Sequence, residues 1–503
     1  MRTKKAFYNI VTNLILQFIV IIYGFVVPII IIGNYGSEVN GLISSITQFL
    51  AYISLIEAGV GGIVQFLLYK PIANKDTDNI NDILAAAQKF FSKVSGIFII
   101  YIALLCVFFP LIVDSSFDRV YTISLIIIIS INIFSEYYFG LIYKIYLFAD
   151  QKKYIVSLLS IFTYVLNIIV IVILSKFNVS IQLLKLVSTL LFTLRPILQN
   201  LYVRKKYQIN IKLGNKNYVL KQKWDALAQH IASVIHSSTD ITILTFFGKL
   251  SEISIYSVYF LVVSGVRKIV SIFYDSISSG FGDMIARKEE KKLNEVFNIA
   301  ESMFLTFVTI SFSCTVILIT PFVQVYTIGI SDVNYSRTLF GYLIVIAELF
   351  GTVRFPYSSI TLAAGHYTET RNGAILECVI NLIVSIVLVI RFGLIGVAIG
   401  TIVAMFIRTC EFVYHSSKYI LGRSLIVPIK KILLMFFEIS VIFIICRYLS
   451  YIPNVNYFNL LYNSFMVFIV SSSVCLLING FIYRKDFKSF KMVIKAITKR
   501  RKV

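Results

Sequence analysis

Apolar runs of about 18 or more residues recur along this chain, and each is long enough as a helix to cross a hydrocarbon core of about 30 Å. A helix closes its own backbone hydrogen bonds, so a chain built of such runs satisfies its polar backbone inside lipid. The fold class this predicts is all-α and polytopic. Hydrophobic residues make up 58% of the 503 residues, and no polar stretch exceeds about 20 residues, short of the 50 or more of a soluble domain. Whatever the chain does is therefore expected within the membrane. The start, MRTKKAFYNIVTNLILQFIVIIYGFVVPIII, is basic like a signal peptide. Its apolar run is too long and no A-x-A-like site follows, so it reads as a retained first span.

Hydropathy broken at charged and Pro/Gly positions predicts about fourteen spans, beginning near Phe7, Gly41, Leu84, Val120, Tyr154, Val179, Trp224, Ile253, Val296, Leu339, Gly373, Gly393, Val427 and Leu460. The net charge of +22 then has a topological explanation. Alternate loops hold the Lys and Arg clusters, among them Arg2, Lys4 and Lys5, the run from Arg204 to Lys223, Arg287 to Lys292, and the tail KRRKV. The other loops carry isolated cations such as Arg119, Lys176 and Arg391. By the positive-inside rule both termini are expected in the cytoplasm and the protein in the cytoplasmic membrane. No nucleic-acid partner is expected, because the cations form no motif on a soluble face. The cysteines, Cys106, Cys314, Cys378, Cys410, Cys446 and Cys475, lie singly in apolar segments without CxxC spacing and read as small core residues.

The chain resembles itself. IANKDTDNINDILAAAQKFF from Ile72 aligns without gaps to IARKEEKKLNEVFNIAESMF from Ile285, a displacement of 213 (285 less 72). Nearly the same displacement relates Ser37-Glu38-Val39 to Ser251-Glu252-Ile253, Asn167 to Asn381, and KFNVSI at Lys176 to RFGLIG at Arg391. A repeat of about six spans is even, so both copies keep one orientation, as in transporters built from parallel repeats around a central cleft. The expected organisation is a six-helix bundle over 1–203, a basic linker over 204–223, a second bundle over 224–418, two added helices over 419–483 and a basic tail over 484–503.

A cleft should show as polar stripes at helical spacing. Four spans carry them most clearly: Asn13 and Gln17 in the first, Glu57 and Gln65 in the second, His236 and Asp240 in the seventh, and Arg267, Lys268, Ser271 and Asp275 in the eighth. The uncharged members serve helix packing as readily as a cavity. For Glu57, Asp240, Arg267, Lys268 and Glu348 a water-filled path or a partner is expected, since a charge at the bilayer centre costs at least about 2.5–3.5 kcal/mol. His236 lies one turn before Asp240, as a structural pair or as a proton relay. Glu57 maps by the displacement close to Arg267 and Lys268, which predicts acid and cations at similar depth. Adjacent cations point about 100° apart, and Arg267, with its planar fork, is the one expected to meet phosphate. Arg195, Arg354 and Lys144 are expected to snorkel.

With these features in place, the hairpins PIIIIGNYGSEVNGLISSITQF and TDITILTFFGKLSEISIYSVYFL, and the stretch TLAAGHYTETRNGAILECVINLIVSIVLVIRFGLIGVAIGTIVAMFIR from Thr361 to Arg408, resemble the polysaccharide flippases of the superfamily that also holds multidrug extrusion proteins and lipid II flippases. The resemblance covers essentially the whole chain. It implies a non-enzymatic flippase that moves an undecaprenyl-pyrophosphate-linked oligosaccharide, for capsule, O-antigen or a similar glycan, across the cytoplasmic membrane by alternating access. The partners it implies are the lipid-linked oligosaccharide, membrane lipids and glycan-assembly proteins. No cofactor or metal is expected; Glu57, Asp240 and Glu348 are candidate coupling sites for H⁺ or Na⁺. A lipid II flippase or a multidrug extrusion transporter are the alternatives. A glycan polymerase or glycosyltransferase would need a sizeable external loop or a DxD-like acidic site, and neither is present.

Overall fold

The computed structural model describes residues 2–57, 60–113, 117–207, 209, 211, 214, 238–449 and 456–484. They are helical with short connections. In chain order the helices are α1 (Arg2–Tyr35), α2 (Ser37–Ala51), α3 (Ser54–Glu57), α4 (Val60–Asn74), α5 (Thr77–Ile112), α6 (Arg119–Ser135), α7 (Leu141–Ala149), α8 (Lys153–Lys176), α9 (Ile181–Tyr207), α10 (Ser238–Phe247), α11 (Leu250–Ala286), α12 (Glu290–Tyr326), α13 (Thr338–Val353), α14 (Phe355–Ala363), α15 (Arg371–Phe392), α16 (Leu394–His415), α17 (Ile426–Leu449) and α18 (Tyr457–Ile482). Two single π-helical turns, Glu136–Gly140 and Ser416–Ile420, interrupt the α-helical ladder.

Among the described residues, 12 helices are long and apolar enough to cross a membrane. The second and seventh expected spans are not among them. The second is broken by the turn at Tyr52 and Ile53, which separates α2 from α3, and residues 58–59, between α3 and α4, lie outside those described. Most of the seventh lies outside the described residues, and α10 is its described part. The chain is a multi-pass membrane protein, and its burial pattern fits. Phe481 is 85% exposed and Phe458 78%, whereas Asn167, Gln199 and Glu301 are fully buried. Apolar side chains face out because lipid surrounds them, and polar groups turn inward to find partners.

Packing divides the chain into two compact units, Met1–Ser257 and Val258–Val503. In the first, α1 packs on α8, α6 and α8 on α9, and α4 on α7. In the second, α15 packs on α16, α13 on α16, and α12 receives both α17 and α18. α15 and α16 approach closely. A Cβ at Gly396 would strike the backbone of Leu388, and one at Gly400 would strike Ser385. Small residues here let the two backbones meet.

Positions matched by the sequence displacement share local conformation. Lys75 and Lys288, 213 apart, both have φ of 56° and precede long helices that start at Thr77 and Glu290. Asn178 and Gly393 both take positive φ, 50° and 53°, where α8 and α15 have ended. Asn167 Nδ2 donates to Ser188 Oγ on the next helix at 3.0 Å, and Asn381 Nδ2 donates to Thr401 Oγ1 on its next helix at 3.1 Å.

Candidate functional site

Arg267 lies in α11, within the membrane-spanning part Leu250–Ile272. Its Nη1 donates to Glu348 Oε2 of α13 at 2.9 Å. The Glu348 side chain is 5% exposed and that of Arg267 28%, so the carboxylate is enclosed and the guanidinium half-open. The guanidinium also lies over the ring of Phe355, 5.5 Å from its centroid. The local sequence sets this up. Val353 ends α13 and Phe355 begins α14, with Pro356 in the first turn, where its missing N–H costs no helical bond. A guanidinium has five N–H donors in a planar fork, and this ion pair engages Nη1.

Lys268, the neighbouring cation, is exposed. Its carbonyl accepts from the Ser271 hydroxyl at 2.9 Å, so Ser271 caps its own helix turn. Of the residues expected to line a cavity, Arg267 and Glu348 are thus brought together. Asp240 of α10 is 8% exposed and accepts from the Tyr256 hydroxyl at 2.8 Å. Asn13 and Gln17 lie half-buried on α1. Gln65 donates to the Tyr69 hydroxyl one turn along α4 at 2.8 Å. Glu57 ends α3 and Asp275 lies in α11, but their side chains lie outside those described, as does His236 altogether. The expected pairing of Glu57 with the cations falls there too.

Three ion clusters emerge that the sequence did not predict as groups. Glu136, in the first π turn, takes Lys144 at 3.1 Å and Arg195 at 3.0 Å. Glu377 of α15 takes Arg354 at 2.7 Å and Arg408 at 3.5 Å, and Arg408 also donates to the Thr370 carbonyl at 2.9 Å. Lys144, Arg195 and Arg354, expected to snorkel, are each paired with a carboxylate. The third cluster centres on a fully buried acid. Glu301 of α12 binds Arg423 through both oxygens, at 2.5 and 2.9 Å, and Lys431 of α17 at 2.7 Å. The signal available for all three was an acid inside an apolar run, which demands a partner.

Between α7 and α8, outside the spans, Asp150 meets Lys152 at 2.7 Å, Lys5 at 3.2 Å and the Tyr207 hydroxyl at 2.7 Å. Burial pushes its carboxyl up, but hydrogen bonds from Lys152 and Tyr207 outweigh it and hold the group below its ordinary value. An apolar groove of about 330 Å³ runs between α11, α12 and α18, lined by Val266, Phe307, Leu318, Leu460 and Phe468. Among the described residues no cluster of three or more His, Cys, Asp or Glu stands ready for a metal ion.

No family model and no curated protein matches the sequence. Solved structures do match in fold. A lipid II flippase, MurJ, in an inward closed conformation superposes with a TM-score of 0.71 at 16% identity, over 95% of this chain and 99% of that one. An inward-facing multidrug resistance MATE family transporter of the MOP superfamily gives 0.60 at 13% identity, over 80% of this chain and 95% of its own. The MATE multidrug transporter DinF-BH gives 0.57 at 16% identity, over 81% and 94%. This chain has the fold that a lipid II flippase and multidrug transporters of the MOP superfamily share.

Proposed function

We propose that this chain is a flippase for a polyprenyl-pyrophosphate-linked oligosaccharide, working by alternating access in the cytoplasmic membrane with both termini inside. The observation that carries the reading is Arg267, a guanidinium held inside a membrane span against one enclosed carboxylate. A pyrophosphate and a glycan cannot cross hydrocarbon unaided. A half-open guanidinium can take phosphate oxygens through charge-assisted bonds, with Glu348 as its resting partner. The apolar groove beside α18 suits the substrate's lipid tail, which would stay in the membrane.

The likeness to a lipid II flippase spans 95% of this chain, against 80% and 81% for the multidrug transporters, which favours a lipid-linked substrate over a soluble drug. Lipid II transport is the second reading, and that same likeness favours it. The shared conformations at Lys75 and Lys288, and at Asn178 and Gly393, support two parallel repeats followed by a two-helix addition. Glycan-assembly proteins would be the partners supplying and consuming the substrate, and Glu57, Asp240, Asp275 and Glu348 are candidates for ion coupling.

The test is deletion of the gene followed by analysis of lipid-linked oligosaccharides by leaflet. Accumulation on the cytoplasmic face is expected. No accumulation, together with rescue of a strain lacking its lipid II flippase, would move the assignment to the second reading. Failure of both would sink the flippase.

A further inference from the structure

Glu438 sits near the middle of α17 and is 1% exposed. Every other glutamate buried below 9% among the described residues has a cation on it: Glu301 has Arg423 and Lys431, Glu348 has Arg267, and Glu377 has Arg354. Glu438 has none. Its Oε2 accepts from Asn479 Nδ2 of α18 at 3.1 Å, and its Oε1 has no hydrogen-bond partner. An unpaired carboxylate in such a place costs several kcal/mol, so the protonation state of this group is a structural question.

The neighbours answer it. From α12 the Thr309 side chain faces Glu438, and from α18 Cys475 does. The Thr309 hydroxyl already donates to the Leu305 carbonyl at 2.8 Å, so its proton is spent while its lone pairs remain. A carboxylate at Glu438 would find Asn479 and a weak thiol donor. A neutral acid has an O–H to donate, and the lone pairs of the Thr309 hydroxyl are the nearby acceptor, while Oε2 accepts from Asn479. Glu438 lines a small pocket of about 10 Å³ together with Leu305, Thr309, Lys431, Met435, Asn479 and Tyr483. The other charged group lining it is Lys431, which is paired with Glu301, itself also held by Arg423.

We propose that Glu438 is a proton-binding site, neutral in this conformation and held by Asn479 and Thr309, which exchanges its proton by way of the pocket it shares with Lys431 and Tyr483. On release the O–H bond breaks, the proton passes to water, and the carboxylate left behind is stabilised by the positive potential of Lys431. Movement of α17 and α18 against α12 would govern that release, because Glu438 on α17 is contacted from both α12 and α18. The proposal does not depend on which substrate the protein carries.

The experiment is difference infrared spectroscopy of the full chain in lipid, wild type against Glu438→Gln, between about pH 5 and pH 9, the range reached by buried glutamates. The expected result is a protonated-carboxyl stretch in the wild type at neutral pH, shifted in D₂O and absent from the variant. Thr309→Val and Asn479→Leu each remove one hydrogen bond and should move that band, which keeps the test alive if Glu438→Gln does not fold. A carboxylate signal throughout, a band unmoved by both neighbouring variants, or its loss on adding Na⁺ at constant pH would overturn the proposal.

Discussion

Replacing Glu301 with glutamine tests how α12 holds α17 and the segment before it. The carboxylate is 0% exposed and receives two bonds from Arg423 and one from Lys431, whose side chains are 9% and 7% exposed. Breaking a buried pair by removing one partner costs about 3–5 kcal/mol, because the remaining charge is left uncompensated. Here two cations are left. Lys431 keeps its bond to the Asn298 carbonyl at 3.2 Å, but neither cation keeps its carboxylate. The expected loss for Glu301→Gln is therefore about 3–5 kcal/mol, read by equilibrium unfolding in mixed micelles. A second variant separates charge from packing. Adding Arg423→Met and Lys431→Met to Glu301→Gln should recover most of that loss, since apolar groups of similar volume often replace buried ion clusters without penalty. A loss below about 1 kcal/mol for Glu301→Gln, the scale of an exposed pair, would refute the view that this cluster is buried and tightly coupled.

Arg267→Ala should slow translocation of lipid-linked oligosaccharide in proteoliposomes by about ten- to a hundredfold, the equivalent of one charge-assisted bond to phosphate, while Lys268→Ala changes it little; a larger defect for Lys268→Ala reverses the assignment. Asp150 has a carboxyl held below its unfolded value of about 3.9. Its contribution to stability is thus complete above that value and is lost as pH falls through the folded one, and unfolding midpoints measured down the acid range should fall less steeply for Asp150→Asn. Equal slopes would contradict the cluster. Gly400→Leu should destabilise by about 1–3 kcal/mol or more through overpacking against Ser385; an unfolding midpoint equal to wild type would show that α15 and α16 do not approach as described.

Much of the fold was legible because lipid imposes one rule at every span. Length and hydropathy located the long helices, and the span expected to begin near Val179 starts at Ile181 as α9. The division of the second span was not legible, since Tyr52 and Ile53 are ordinary residues of an apolar run. In the site, Arg267 and Glu348 were each readable as charges in need of a partner, but not as partners of each other. They are 81 residues apart, and only packing of α11 on the α13–α14 break joins them. Glu301, Glu377 and Glu438 carried the same signal. Sequence spacing within one helix could not supply their partners, because each is met from another segment of the chain.

The Glu301 cluster also sets a clock. Glu348 enters the membrane after Arg267 has been made, and Glu377 after Arg354, so each of those acids meets a waiting cation. Glu301 precedes Arg423 by 122 residues and Lys431 by 130. At about 5–20 residues per second, α12 must exist for roughly 6–25 seconds with an acid at its heart and nothing to neutralise it. During that interval the carboxyl has to stay protonated, stay wet, or be sheltered by the insertion machinery, and a ribosome that stalls before Arg423 leaves it so indefinitely. The last helices thus close the quality check on a residue synthesised long before them.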